Sequence, residues 1–186
     1  MILVTGGTGF IGRALVRHLA EAGYDVRLLI RPSKESPELP RGVPVEVAVS
    51  SLTDQRGLRS AMVGVDTVYH LAGAEWLGPR ASLMETDIQG TQSLCQAAAA
   101  QKVERILFVS HLGAERASAF PAFKSKGIAE EYIRRSGRVS WARASLGTLL
   151  QIKPFISLKD GERCGRRSFL PRRWASPMRK RGFWRC

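Results

Sequence analysis

The sequence predicts an α/β protein built on a doubly wound parallel sheet, and three observations favour that fold class. Short apolar runs rich in β-branched residues alternate with longer amphipathic segments from residue 1 to about residue 145. A turn dense in glycine joins the first strand-like run to the first helical segment. The chain has 186 residues, which is enough for one domain with a substantial core and too short for two.

The first half of the sequence reads as strand, helix, strand, loop, strand and short helix. Apolar runs at 2–4, 26–30 and 45–49 have the length and composition of buried strands. A helix follows the glycine turn, because apolar residues recur there every three or four positions before a terminal glycine cap. Four prolines between residues 32 and 44 predict a polar loop, and a short helix is predicted at about 55–62.

The second half continues the same alternation. A fourth strand is predicted from Thr67 to Gly73, a fifth from Arg105 to Ser110 and a compressed sixth from Val139 to Ser145. Long helices with apolar residues at helical spacing are predicted at 82–101 and 120–135. Because strands and helices alternate, we expect parallel strands with helices on both faces of the sheet.

The glycine turn has the spacing Gly6-x-x-Gly9-x-x-Gly12. One glycine lets the chain turn sharply, one removes the side chain where a pyrophosphate approaches, and one lets the helix lie close to the strand. Free N–H groups and the positive end of the helix dipole then bind the anion. The turn therefore predicts a dinucleotide site rather than an ordinary tight turn. Cofactor contacts are expected from Gly6, Thr8, Gly9, Phe10, Ile11 and Gly12.

The run T-G-G-T-G-F-I-G at residues 5–12 resembles the extended and atypical short-chain dehydrogenase/reductases, above all the NmrA-like group and the NAD(P)H-binding accessory subunit of respiratory complex I. The resemblance spans residues 1 to about 145 and implies a Rossmann-type fold, with the dinucleotide across the carboxyl ends of the strands. The sequence H-L-A-G from His70 is a second signature, which implies cofactor contacts from Leu71, Ala72 and Gly73. His70 itself is interpreted as a buried core histidine.

The end of the second predicted strand bears on which dinucleotide is bound. NAD-selective sites usually place an acidic residue there for the ribose 2′-hydroxyl, whereas this chain has Arg31. Arg31, with Arg13 just past the glycine turn, suits a 2′-phosphate, so the sequence favours NADP(H) over NAD(H). Both arginines are also compatible with solvated surface positions. Relatives commonly carry Asp-Leu where this chain has Ser51-Leu52, and Leu52 is expected to pack against the adenine.

The catalytic apparatus that the resemblance implies is incomplete. Active members place a Tyr-x-x-x-Lys pair after the fifth strand, where the lysine lowers the tyrosine pKa and binds the nicotinamide ribose. The segment S-K-x-x-x-E aligns Lys126 with that lysine and puts Ala122 at the tyrosine position. Lys126 is the expected ribose contact and one of two catalytic candidates. The other is His111, which stands where a second serine or threonine is usual and could exchange a proton itself. Asp87 replaces an asparagine that maintains a helix kink and a proton relay in active members.

Charge is unevenly distributed along the chain. Residues 1–137 hold 16 Lys+Arg and 14 Asp+Glu, whereas residues 138–186 hold 13 and 2. We therefore predict a dinucleotide-binding domain at 1–150 and a basic, irregular tail at 151–186, with an incomplete substrate region. Two explanations of the tail stay open: arginine clusters with interleaved aromatic residues that bind nucleic acid or an anionic surface, or translation out of frame. The second is favoured, so nucleic acid is not expected as a partner.

These features predict an NAD(P)-binding protein of the NAD-dependent epimerase/dehydratase superfamily. One expectation is oxidoreduction of a small carbonyl or sugar-nucleotide substrate, and the other is a non-catalytic redox sensor or assembly subunit that retains the nucleotide. Three scattered cysteines and the lack of a run of roughly 18 apolar residues predict a cytoplasmic protein without disulfide framework, metal site or membrane span. The oligomeric state is left open.

Overall fold

The computed structural model describes residues 1–33, 39, 42–74, 82–137 and 139–144, the last range by its backbone alone. The predicted tail at 151–186 and the predicted last residue of the sixth strand lie outside the described residues, as does part of the proline-rich loop.

Six parallel strands form one sheet in the order β3-β2-β1-β4-β5-β6. The chain therefore builds outward from β1 in one direction, returns to the centre and builds outward in the other, which confirms the predicted doubly wound topology. The strand bounds are β1 Ile2–Thr5, β2 Val26–Ile30, β3 Glu46–Val49, β4 Thr67–His70, β5 Arg105–His111 and β6 Val139–Ala144.

Helices connect these strands. They are α1 Phe10–Glu21, α2 Gln55–Ala61, α3 Gly90–Ala100 and α4 Pro121–Arg135, and a π-helical segment at Met84–Gln89 leads directly into α3. The predicted helix at 82–101 is thus a π-helical turn followed by an α-helix. Periodicity over twenty residues did not reveal the wider turn, because it holds one extra residue and leaves the later apolar spacing intact.

The main core lies between one face of the sheet and helices α2, α3 and α4. The strands contribute residues that are nearly inaccessible to solvent, among them Leu3, Val68, Ile106 and Phe108. The helices contribute equally buried residues, among them Leu58, Leu94, Ala98 and Ile133. Alternate residues of the central strand, Ile2 and Val4, point to the opposite face. There α1 buries Leu15, Val16 and Leu19. Helices on both faces confirm the predicted layering.

Strand β4 is shorter than predicted. It ends at His70, whereas the prediction extended it through Gly73. The cause is the length of its neighbour: β1 ends at Thr5, and the Ala72 N–H donates to the Thr5 hydroxyl at 3.3 Å instead of to a strand carbonyl. The small residues therefore form a loop beyond the strand.

In the described ranges, no helix has the length and apolar character needed to cross a bilayer. Within the same ranges, no group of three or more histidine, cysteine or carboxylate side chains is placed to hold a metal ion.

Candidate functional site

Strands β1 and β4 end level with each other at one edge of the sheet, and β5 continues three residues beyond them. Thr5 of β1 pairs with His70 of β4, and His70 pairs with Phe108 of β5. The segments that follow these strands are the glycine turn, the Leu71–Gly73 loop and the end of β5 with the connection to α4. They consequently converge at the carboxyl edge, which is where ligands bind in open parallel sheets.

Gly6 brings the turn against the loop after β4. Its φ of +71° lies in the left-handed region that favours glycine. A Cβ at this position would lie 2.7 Å from the Ala72 nitrogen and 2.7 Å from the Leu71 carbonyl carbon. Because both are backbone atoms, no larger residue fits, and two separately predicted cofactor segments meet here.

Gly12 allows the first turn of α1 to pack on the glycine turn itself. A Cβ there would lie 2.6 Å from the Gly7 Cα. Gly7 is in turn closed in by Leu28 of β2, whose Cδ2 would stand 2.7 Å from a Cβ at position 7. The third glycine of the motif therefore lets α1 lie close to the turn at the end of β1.

The start of α1 is arranged to accept an anion. Gly9 is the N-terminal cap and, having no side chain, makes no capping hydrogen bond, and the first turn contains no acidic residue. Its own N–H donates to the Gly6 carbonyl at 3.1 Å, which closes the turn. The following N–H groups keep the donors and positive dipole end that bind a pyrophosphate. Thr8 and Ile11 flank them half-buried, and Phe10 is 70% exposed.

His70 joins the glycine turn to the start of α3 through a directed chain of hydrogen bonds. The Thr91 hydroxyl donates to the Asp87 carbonyl at 2.6 Å, so it accepts from His70 Nε2 at 2.9 Å. Nδ1 is then an acceptor, and the Thr5 hydroxyl donates to it at 2.7 Å. Burial, reinforced by nearby Lys126, lowers the His70 pKa to about 3, so the ring is neutral. The histidine is a satisfied core residue, as predicted.

Lys126 lies in a buried ion pair. Its Nζ is 2.8 Å from Asp87 Oδ1, with side chains 10% and 1% exposed. Asp87 Oδ2 accepts the Ala74 N–H at 3.1 Å, and the Lys126 ammonium stands 5.3 Å from the centre of the Phe108 ring. A Cβ on Gly73 would lie 2.9 Å from Lys126 Nζ, so the pair contacts the loop backbone after β4.

The position of the missing phenol holds no polar group. Ala122 occupies the first turn of α4, and Ser110 is buried with a hydroxyl that has no hydrogen-bond partner in the described part of the chain. His111 is half-buried at the end of β5, stacked on Phe123 with 4.4 Å between ring centres. The Gly113 N–H donates to its Nδ1 at 3.2 Å, which leaves the proton on Nε2.

The residues expected at the adenosine half occupy the other side of the sheet centre. Arg31 is exposed immediately after β2, and Arg13 is exposed in the first turns of α1. Leu52 follows β3 and is half-buried against the core, close enough to α3 that a Cβ on Gly90 would lie 2.9 Å from its own Cβ.

The ion pair between Asp87 and Lys126 is the feature that sequence reasoning missed. The two residues are 39 positions apart on different helices, so no local spacing pairs them. Polar residues surround both in the sequence, with Glu85, Thr86 and Gln89 near Asp87 and Lys124 and Ser125 near Lys126, so neither was recognisable as a buried charge in need of a partner.

A family model described as NAD(P)H-binding matches residues 6–154. Photosystem II assembly factor Ycf39 of Cyanophora paradoxa is 31% identical over 73% of this chain and 42% of its own length. The NAD-dependent glucose-6-phosphate dehydrogenase of Haloferax volcanii is 39% identical over 59% of this chain and 42% of its own. The chain thus spans less than half the length of these curated relatives.

Two solved structures resemble the fold. A short-chain dehydrogenase/reductase superfamily protein from Agrobacterium tumefaciens with bound NAD is 31% identical, with a TM-score of 0.59 over 77% of this chain and 48% of that one. The UDP-glucose 4-epimerase of Thermus thermophilus in complex with NAD is 27% identical, with a TM-score of 0.61 over 75% of this chain and 52% of that one. By family model, sequence and fold, the chain belongs to the NAD(P)H-binding family within the short-chain dehydrogenase/reductase superfamily.

Proposed function

We propose that this chain binds NADP(H) at the carboxyl edge of the sheet, in preference to NAD(H). The observation that supports the site is the seating of Gly6 against the Ala72 backbone, which leaves the N-terminus of α1 open to a pyrophosphate. Arg31 supports the preference, because it is exposed directly after β2, where a guanidinium can pair with a 2′-phosphate.

The proposed cofactor contacts are those predicted from the sequence. Gly6, Thr8, Gly9, Phe10, Ile11 and Gly12 surround the pyrophosphate, Arg31 and Leu52 serve the adenosine half, and Leu71, Ala72, Gly73 and Lys126 serve the nicotinamide half. We assign this dinucleotide-binding domain to residues 1–150, followed by a basic tail at 151–186. Scattered cysteines, with Cys95 a buried free thiol, support the cytoplasm as its compartment.

The geometry supports a dinucleotide that stays bound to the protein and is not oxidised or reduced in a catalytic reaction. Reduction of a carbonyl places a hydride on carbon and requires a proton for the oxygen. Ala122 supplies none at the position four residues before Lys126, whose ammonium is engaged by Asp87. A sensing or assembly role agrees with the similarity to Ycf39, which is described as an assembly factor.

Oxidoreduction of a small carbonyl or sugar-nucleotide is the second candidate, and His111 is the observation that favours it. Its Nε2–H donor lies at the end of β5, and the imidazolium form of the ring can deliver from there the proton that Ala122 cannot supply. The glucose-6-phosphate dehydrogenase and UDP-glucose 4-epimerase relatives agree with such a substrate class.

Titration of the purified chain with NADPH and NADH, followed by reduced-nicotinamide fluorescence and melting temperature, tests the binding proposal. We expect NADPH to bind about tenfold more tightly, since a charge-assisted pair is worth about 1.4 kcal/mol or more. Arg31→Ala should remove the preference, while the exposed Arg17→Ala on α1 serves as the matched control. A chain that binds neither nucleotide contradicts the proposal.

Turnover of NADPH across a panel of carbonyl and sugar-nucleotide substrates separates the two candidates. The retained-nucleotide proposal expects no turnover above the uncatalysed rate. Turnover that His111→Ala abolishes while NADPH affinity is unchanged would establish the oxidoreductase instead.

A further inference from the structure

We propose that Asp87 is a positioning residue for the dinucleotide, holding the Lys126 ammonium against the Gly73 backbone so that it meets the nicotinamide-side ribose. The inference rests on the proposed function, because it names how one part of that site is set. Asp87 makes no nucleotide contact of its own in this scheme and acts through Lys126.

The carboxylate is fixed before it meets the lysine. Asp87 is 1% exposed and lies in the π-helical segment, where its Oδ2 accepts the Ala74 N–H at 3.1 Å. The Thr91 hydroxyl holds the Asp87 carbonyl at 2.6 Å and is itself tied to His70. The remaining oxygen, Oδ1, therefore belongs to a residue that is held both at its backbone carbonyl and at its other carboxylate oxygen.

The lysine is confined by the same surroundings. Its Nζ is 2.8 Å from Oδ1 and stands over the Phe108 ring at 5.3 Å. The Gly73 backbone borders the pair, because a Cβ there would lie 2.9 Å from Nζ and 3.2 Å from Oδ1. An ammonium has three N–H donors, so pairing with one carboxylate oxygen leaves donors for the hydroxyl groups of a ribose at this edge.

A carboxylate at position 87 supplies a negative charge to Lys126, which an amide would not. An amide at position 87 would still accept the Ala74 N–H, but it would leave the Lys126 charge without a buried counter-charge. A charged partner keeps the ammonium in one place, and a fixed donor loses less entropy on binding a ligand than a mobile one. A merely structural pair would instead tie the π-helical segment to α4 without affecting a particular ligand.

Two ligands distinguish these roles. NADPH carries the nicotinamide ribose, whereas adenosine 2′,5′-bisphosphate carries the adenine and 2′-phosphate without it. We expect Asp87→Asn to weaken NADPH binding about tenfold, the loss of one charge-assisted contact, and to change bisphosphate binding less than twofold. In a Lys126→Met background, Asp87→Asn should change NADPH affinity less than twofold, because it acts through the lysine. Glu85→Gln, an exposed change in the same π-helical segment, is the matched control.

Each other outcome is decisive. Wild-type protein that binds neither ligand overturns the proposed function and not this inference alone. Wild-type protein that binds both, with Asp87→Asn binding both equally well, overturns the positioning role, and so does an equal loss for the two ligands. Should Asp87→Asn not fold, Gly73→Ala takes its place, since the added Cβ displaces Nζ; unchanged NADPH affinity in that variant overturns the inference.

Discussion

The glycine turn after β1 and the segment from the end of β5 into α4 occupy the same edge of the sheet, yet they are made of different chemical groups. The first consists of backbone: Gly6 against Ala72, Gly12 against Gly7, and the uncapped start of α1. The second depends on individual side chains, and there the chain has Ala122 where a phenol would be needed.

The difference teaches that binding and chemistry place unequal demands on a sequence. A pyrophosphate seat needs only small residues and a helix that starts at the correct place, and both are present. Proton transfer needs a particular functional group at a particular atom, so it is sensitive to a single substitution. His70 ties the end of β1, where the first region begins, to the start of α3, since it bonds Thr5 on one side and Thr91 on the other.

Gly12→Ala should disrupt the packing of α1 on the glycine turn and produce the largest effect among these variants. Its Cβ would lie 2.6 Å from the Gly7 Cα, and backbone on both sides cannot yield cheaply. We expect a loss of about 3 kcal/mol in the free energy of unfolding and no NADPH binding, measured by urea denaturation and fluorescence titration.

Gly9→Ala is the matched variant for that prediction. Its Cβ would lie 3.3 Å from the Gly6 carbonyl oxygen, a contact that a small shift relieves. We expect the stability to change by less than about 1 kcal/mol while NADPH affinity falls, because the methyl group stands where the pyrophosphate approaches. Equal destabilisation by both variants would contradict the close packing assigned to Gly12.

His70→Gln tests, through pH, the connection that His70 makes between the end of β1 and the start of α3. Burial and the nearby Lys126 lower the His70 pKa from 6.5 to about 3, so between these values the unfolded chain binds a proton that the folded chain does not. The contribution of the neutral His70 ring to the free energy of unfolding is complete above pH 6.5 and is lost as the pH falls below that value. Between pH 6 and pH 4, the wild-type free energy of unfolding should fall more steeply than that of the variant, by up to about 1.4 kcal/mol per pH unit.

Denaturation curves at pH 4, 5 and 6 measure these slopes. Thr53→Ala, an exposed change at a residue with no ionisable side chain, is the control and should keep the wild-type slope. Parallel slopes for wild type and His70→Gln would show that His70 is protonated in the folded chain.

Ser110→Ala should have the smallest effect. It tests whether the hydroxyl near the end of β5 contributes to stability. The Ser110 hydroxyl is buried without a partner in the described ranges, so its removal is expected to be neutral or to stabilise by up to about 1 kcal/mol. Ser125→Ala is the contrast, because its hydroxyl donates to the Ala122 carbonyl at 2.9 Å and its loss should cost about 1 kcal/mol. Destabilisation by Ser110→Ala in thermal melts would mean that the hydroxyl is bonded.

Local patterns predicted the sheet and the glycine turn well, because strand runs and helical spacing are properties of neighbouring residues. The end of β4 was misplaced, since it depends on where β1 stops and on the Thr5 hydroxyl that takes the Ala72 N–H. Asp87 and Lys126 were each singled out, but their pairing depends on how α3 and α4 pack, which no spacing encodes. The cofactor contacts remain predictions.

The π-helical segment at Met84–Gln89 gives the connection after β4 a tolerance in length. Deleting one residue inside it would let the chain relax to ordinary α-helical winding while Leu94, Ala97 and Ala98 keep facing inward. The same deletion between Gly90 and Ala100 would rotate everything before it by about 100° relative to everything after it. A one-residue deletion in this connection is therefore absorbed at the π-helical turn, ahead of the face that the core requires.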